Sequence, residues 1–406
     1  MTDVCILGGG PAGLMATIFA ARQGKSAIII DKNERPLKLL ISGKGRCNVT
    51  NNCDNNTVLK NVVGNPKFLY SALNFLNPSE LMNFFEELGV LLKTERGGRV
   101  FPQSDKSLDV SNALLNECKR LKVERKIGTV KSLDMQGKQV VAAVLNSGEK
   151  VFAKTFVLAM GGKSYPRTGS DGSGFSLAES LGHAVSGLRA GLVPLETVEN
   201  WPKEIAGLAL KNVAITVKNA ENGKTIYKDF GEMLFTHFGV SGPIILSASS
   251  FLKDKKSAQI SIDLKPALSE EILNKRILRD FEKNSKALFK NSLNALLPSS
   301  LVPIIIEKSG ILPEKKVAEI SKVERKNLMK TLKNLELNIA KKRGFDEAIV
   351  TQGGVLLNEI NPATMRSKLV GNLYFAGEII DIDALTGGFN LQIAFSTGAL
   401  AGASIV

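Results

Sequence analysis

The strongest constraint on this chain lies at its start, where an apolar strand runs into a glycine turn and then a helix: Asp3-Val-Cys-Ile-Leu-Gly8-Gly-Gly10-Pro-Ala-Gly13. Each glycine has its own task. Gly8 permits a tight turn, Gly10 lets the backbone approach a pyrophosphate, and Gly13 lets the helix pack close to the strand. The helix is predicted from Pro11 to about Gln23. Its first turn, with Pro11 and Ala12, would aim a positive dipole end and free N–H groups at phosphate. A second apolar strand, Ser26–Asp31, ends in an acid eighteen residues after Gly13. About 20 residues is the spacing expected of the carboxylate that hydrogen-bonds a ribose 2′-OH. Asp31 takes that role in this reading, and Lys32 is placed beside it.

A matching segment stands some 360 residues later. Leu373-Tyr-Phe-Ala-Gly377-Glu378-Ile-Ile-Asp381 reads as a strand ending in Gly-Glu. Thr386-Gly-Gly-Phe-Asn390-Leu-Gln-Ile-Ala394 reads as the start of the last helix. One site assembled from both termini, with other material inserted between, is the layout of an FAD-binding domain. The expected fold class is α/β: a Rossmann-like FAD-binding domain of the two-dinucleotide-binding-domain type, with an inserted β-barrel or sheet plus helices. FAD, held non-covalently, is the expected cofactor.

The 406 residues suffice for two or three domains, and 44% hydrophobic content supports a sizeable core. No apolar run approaches the roughly 20 residues of a membrane span, and no basic leader precedes the first strand, so a cytoplasmic location and no membrane partner are expected. The four cysteines show neither metal spacing nor a disulfide framework, and no metal is expected. The net charge of +14 raises the question of nucleic acid. The lysines are spread out or sit on predicted helices such as Pro313–Leu335, and aromatics are 6%. A solvated helix face is the expectation, with a small-molecule substrate and no nucleic-acid partner. Oligomeric state is not legible.

Residues 1–190 read as the first part of the nucleotide domain. They include a glycine- and asparagine-rich loop, Ile41–Asn52, and strands around Val123–Leu133, Gln139–Leu145 and Val151–Ala159. Val130, within the first of these strands, is placed with the cofactor site. The last strand ends in Met160-Gly161-Gly162, a crossover passing close to the cofactor. Residues 191–345 read as the insertion: β-rich over 191–266, helical over 267–335 with Ser269 as a cap, and a return strand over 336–345. Residues 346–406 complete the nucleotide domain.

Several stretches now belong together: Lys38–Asn51, Gly98-Arg-Val-Phe-Pro102, Leu234–Pro243, Thr351-Gln-Gly-Gly-Val355, Tyr374–Asp381 and Thr386–Ala394. They resemble the bacterial BaiN/YhiN-like NAD(P)/FAD-dependent oxidoreductases over nearly the whole chain. Described members of that family include an aminoacetone oxidase and a 3-dehydro-bile-acid reductase. The resemblance implies an FAD flavoprotein with an inserted substrate domain. It implies that Glu378, after Gly377, holds a ribityl hydroxyl, and that Gly387, Gly388, Asn390, Gln392 and Ile393 face the flavin edge that gains negative charge on reduction. Gly45, Arg46, Cys47 and Asn48 would wrap the pyrophosphate or the ring, with Arg46 as charge partner. His237, in Phe235-Thr-His-Phe, is the candidate proton donor. Tyr165, Arg167 and Thr168, after the Gly161-Gly162 crossover, would line the substrate side. His183 reads as a helix C-terminal residue. Five residues separate Cys47 from Cys53, one more than in the redox pair of disulfide reductases, so ordinary thiols are expected.

These residues point to an FAD-dependent oxidoreductase moving hydride at flavin N5 to or from a small organic substrate, with NAD(P)H as one source of electrons. An amine oxidase using O₂ and an RNA-binding or structural flavoprotein without turnover stand as alternatives.

Overall fold

The computed structural model describes residues 1–252 and 258–406. The elements used below are, in chain order, β1 (Thr2–Leu7), α1 (Pro11–Arg22), β2 (Ala27–Asp31), α2 (Leu37–Gly45), α3 (Ser107–Arg120), β3 (Glu124–Ile127), β4 (Val130–Gln136), β5 (Gln139–Leu145) and β6 (Lys150–Leu158). Then come β7 (Leu195–Thr197), β8 (Ala209–Asn219), β9 (Thr225–Thr236), β10 (Gly239–Ser241), α4 (Pro243–Phe251), β11 (Ala258–Asp263), α5 (Glu270–Lys283), α6 (Val302–Ser309) and α7 (Lys322–Lys333). The chain ends with β12 (Leu335–Lys342), β13 (Val350–Gln352), β14 (Leu373–Phe375) and α8 (Phe389–Ala403). It divides into two compact units, Met1–Gly191 with Gly344–Val406, and Leu192–Arg343.

The first unit is built on a seven-stranded sheet in the order β3-β2-β1-β6-β5-β4, with β14 added along β6. β1, β2, β3, β14 and the second half of β6 run parallel. The alternating Val130–Leu145 stretch instead folds back as an antiparallel β4–β5 pair leading into β6. The parallel strands read as unbroken apolar runs because both faces are covered: Val4, Ile6, Ile29 and Phe156 are buried, as are Leu14 of α1 and Phe395 of α8. Register brings Leu7, Ile30, Leu158 and Phe375 level at the carboxyl ends of their strands. That is where open α/β sheets hold ligands. α8 lies unusually close to α1. A Cβ at Gly398 would stand 2.2 Å from the Ala12 carbonyl, and one at Gly402 would stand 2.1 Å from that of Ala16.

In the second unit six antiparallel strands close into a barrel, β7-β10-β9-β8-β11-β12. The period-2 alternation of β8 puts Val213, Ile215 and Val217 inside. The helices share this core through Leu273 and Ile277 of α5, Ile305 of α6 and Leu328 and Leu332 of α7. Ser269 caps α5 by accepting the Ile272 N–H. The helix expected over Pro313–Leu335 begins only at Lys322, where Ser321 and Glu324 form a capping box.

Candidate functional site

Above the level strand ends lies a groove built wholly from the first unit, enclosing about 1130 Å³ with the open solvent at its mouth included. Its floor is the β1–α1 turn. Gly8 sits at φ +107°, and a Cβ there would fall 2.4 Å from the Ala159 carbonyl. A Cβ at Gly13 would fall 1.8 Å from the Gly8 carbonyl. Gly10 is different, since nothing stands within 4 Å of the position a Cβ would take. Gly8 and Gly13 are therefore fixed by the protein's own packing, whereas Gly10 opens on the groove. α1 starts there with no capping side chain and no acid in its first turn. Asp31 closes this end, accepting the Gly9 N–H at 2.6 Å and the Asn33 N–H at 2.7 Å. An ionised carboxylate has about four acceptor positions, so capacity remains.

At the other end stands Glu378. One of its oxygens accepts the Thr351 N–H at 2.7 Å and the Ser164 hydroxyl at 3.0 Å, and the other meets the Lys38 ammonium at 2.5 Å. Burial pushes the carboxyl up, but Lys38 and these donors outweigh it and hold the pKa below its usual value. The side chain keeps 20% of its exposure. Thr351, on β13, also fixes the crossover: a Cβ at Gly162 would lie 2.3 Å from its hydroxyl. Gly161, at φ +74°, lines the groove. Gly377 is equally confined, with a Cβ there 2.6 Å from that of Ala12.

α8 opens on the same groove through Asn390, Leu391 and Ile393. Its N-cap is Gly388, at φ +101°, and again no side chain caps it and no acid occupies the first turn. A Cβ on Gly388 would strike the Thr50 carbonyl at 2.3 Å. Gly387 precedes it at φ +134°. Asn48 Oδ1 is buried nearby with no hydrogen-bond partner, 3.0 Å from where that Cβ would be. Among the described residues it is one of four such side-chain atoms.

Other expected residues are placed differently. The Arg46 guanidinium pairs with Glu95 and, at 2.7 Å, with Asp105, and lies 4.1 Å from the centre of the Phe101 ring. It is committed to the protein's own acids and does not line the groove. Lys32 pairs with Asp171 at 2.7 Å, while its neighbour Asn33 takes the lining position. Gln392 is 0% exposed and bonds Thr50, Leu76 and Ser396, so its side chain belongs to the core. The Asn390 amide holds the Ala384 backbone on both sides. Val130 is buried opposite Leu145. Cys47 is buried at φ +61°, and burial pushes its thiol up to about 12, which removes thiolate character at neutral pH. All four cysteines are free thiols. Gly45, at φ +82°, ends α2, and neither it nor Cys47 and Asn48 lines the groove. Tyr165 sits in the left-handed region at φ +52° with its N–H on the Phe345 carbonyl, and Arg167 is exposed. Neither lines the groove. His237 is exposed on the turn between β9 and β10 of the second unit, edge-on to Phe238 at 4.8 Å. His183 is buried past the end of its helix, bonded to Glu359 and Ser367, each at 2.9 Å.

Sequence reasoning passed over Lys38, Ser164 and Thr351, which fix Glu378, and it passed over Asp383. That carboxyl is 5% exposed and takes the Gln352 amide N–H at 3.0 Å. Burial raises its pKa to about 7, with Asp381 and Glu378 adding to the rise and Gln352 and Arg189 opposing it.

The HI0933-like protein Rossmann domain family matches residues 2–404. The chain belongs to this family. A 3-dehydro-bile acid delta(4,6)-reductase of Clostridium scindens is 32% identical, over 99% of this chain and 98% of its own length. A ribosomal RNA dihydrouridine synthase of Escherichia coli is 31% identical, over 97% and 96%, and one of Haemophilus influenzae is 31% identical, over 98% and 97%. The 3-ketosteroid delta1-dehydrogenase structure from Sterolibacterium denitrificans shares the fold at a TM-score of 0.54 and 13% identity, covering 100% of this chain and 99% of that one. The chain is an FAD-dependent oxidoreductase of the Rossmann type. No helix among the described residues is long and apolar enough to cross a membrane.

Proposed function

We propose that this protein is an FAD-dependent reductase that saturates a carbon–carbon double bond conjugated to a carbonyl. The observation that carries the cofactor is the pair of helix N-termini opening on one groove. α1 and α8 both lack a side-chain cap and an acid in the first turn. Each leaves N–H donors and a positive dipole end for an anionic ligand. FAD has two groups that match, a pyrophosphate and a ring edge that becomes negative on reduction. In this reading Gly8, Gly10, Pro11 and Ala12 receive the pyrophosphate, with Gly13 packing the helix against the turn, Asp31 receives the adenosine ribose, and Glu378 the ribityl chain. Gly387 and Gly388 and the first turn of α8 receive the ring edge. FAD, when bound, supplies hydride chemistry at N5.

The relatives supply the substrate chemistry. A bile acid delta(4,6)-reductase acting on a 3-dehydro compound and a dihydrouridine synthase both add two hydrogens across a double bond activated by a carbonyl. Hydride goes to one carbon and a proton to the other. His237 is the candidate to hold that proton, and NAD(P)H the candidate reductant. The test is anaerobic: FAD-loaded protein is mixed with NADH or NADPH and the flavin absorbance followed, then a cyclic enone or uridine is added. Bleaching followed by reoxidation with a saturated product is expected. A flavin left reduced by both acceptors, and reoxidised only once O₂ is admitted, would sink the reading and favour an oxidase.

A second form of this reading has the double bond carried on an RNA base. It is favoured by the charge, since residues 192–343 hold +9 of the net +14.

A further inference from the structure

The excess charge is organised, and the organisation differs between helices of the second unit. In α5 two of the four cations are paired across four residues, Glu271 with Lys275 at 2.6 Å and Arg276 with Asp280 at 2.7 Å, and Arg279 lies 3.8 Å from Asp280. α7 differs. Lys322, Lys326 and Lys330 are exposed, spaced four residues apart, and without an ion-pair partner among the described residues. Two acids at α7 are taken by other cations: Glu324 by Lys315 at 2.7 Å, and Asp263 by Lys333 at 2.5 Å.

Four-residue spacing puts the three lysines on one face of the helix, with a rise of about 6 Å per step. Like charges so placed repel and destabilise the helix. Lys322, in the first position, also opposes the dipole. Folding alone thus works against this row, and an external polyanion would reverse the sign. Insertion into a bilayer would need a free apolar face, but Leu328 and Leu332 are buried within the unit. What α7 offers is a line of point charges on flexible stems, suited to a phosphate backbone.

We propose that Lys322, Lys326 and Lys330 of α7 form a docking face for RNA phosphates. The proposal rests on the RNA form of the reading above. The test is fluorescence anisotropy of a fluorescein-labelled ribosomal RNA hairpin against the full-length, FAD-loaded protein over a series of KCl concentrations. Wild type is compared with the triple variants Lys322→Gln/Lys326→Gln/Lys330→Gln and Lys322→Arg/Lys326→Arg/Lys330→Arg. The wild-type affinity should fall steeply with salt. In the glutamine variant the slope of log K against log salt should be shallower by about two to three, because each phosphate contact contributes about 0.9. Affinity at low salt should drop at least tenfold, and the arginine variant should behave as wild type.

An unchanged slope in the glutamine variant would overturn the face while leaving an RNA substrate standing. No binding by wild type at low salt would overturn the face and the RNA form together, leaving enone reduction untouched. Phosphatidylserine vesicles or polyglutamate bound as tightly as the hairpin, and lost in the same variant, would overturn RNA in favour of a lipid or acidic-protein partner.

Discussion

Glu378 and Asp383 lie five residues apart on one segment, and burial pushes both carboxyls up, yet they end on opposite sides of the usual value. Lys38, the Thr351 N–H and Ser164 surround Glu378 and hold it ionised. At Asp383 burial and two carboxylates outweigh one amide donor and Arg189, and the pKa rises to about 7. The folded state therefore keeps a proton on Asp383 that the unfolded chain releases between about pH 4 and pH 7. Its contribution to stability is full below that window and is lost as pH rises through it, by at most about 4 kcal/mol. Asp383→Asn keeps an oxygen for the Gln352 N–H and removes the titration. The variant should be more stable than wild type at pH 8 and little changed at pH 4, read from urea midpoints. Equal pH slopes for the two proteins would show that Asp383 stays ionised. For Glu378→Gln the expected change is in the ligand. Loss of a charge-assisted hydrogen bond of roughly 1.5–3 kcal/mol should weaken FAD about tenfold to hundredfold. An unchanged FAD titration would remove Glu378 from the ribityl site. The place of Glu378 on the groove was legible from its position after a strand and a glycine. Its partner Lys38 was not, because it lies 340 residues away and no local periodicity marks a pair made only when the termini meet. The same limit misled the reading of Arg46 and Gln392. A basic or amide side chain in a motif looks available until the fold supplies its acids and carbonyls.

At the scale of elements, the glycines separate packing from ligand approach. Gly388→Ala puts a methyl group against the Thr50 carbonyl at a left-handed φ. It should destabilise the apoprotein by about 1–3 kcal/mol from backbone strain, with the clash adding to it. Gly10→Ala meets nothing, at an ordinary φ of −76°. It should leave the apoprotein's melting temperature within a degree or two, consistent with a small surface change of about 0.5 kcal/mol. FAD affinity should nevertheless fall at least tenfold, because the added methyl group occupies the approach to the α1 N-terminus. If calorimetry and FAD titration moved together in this variant, Gly10 would be one more packing glycine. Elements with strong local signals were legible: the first βαβ, the Ser269 cap and the glycine start of α8. The insertion was legible as a barrel or a sheet with no choice between them, since closure depends on β7 pairing with both β10 and β12, and three-residue strands carry almost no pattern. The loop expected over Ile41–Asn52 is present from Ser42 on: within the bounds of α2, Ser42 is extended and Gly43, Lys44 and Gly45 are left-handed, so helical geometry ends at Ile41.

At the scale of the whole molecule, the groove and its helix termini come from one unit, and His237 comes from the other, which has its own core. This division separates two functions that one substitution would otherwise confuse. His237→Ala removes an exposed imidazole from a turn, so neither unit loses buried area and FAD retention should match wild type. If the imidazole delivers the proton that completes saturation, turnover with an enone or a uracil ring should fall by about 10²–10⁴. The flavin should still bleach with NAD(P)H, because that half of the cycle needs no proton from the second unit. A protein that keeps its rate after this change would draw the proton from elsewhere, and the search would return to groups on the groove itself.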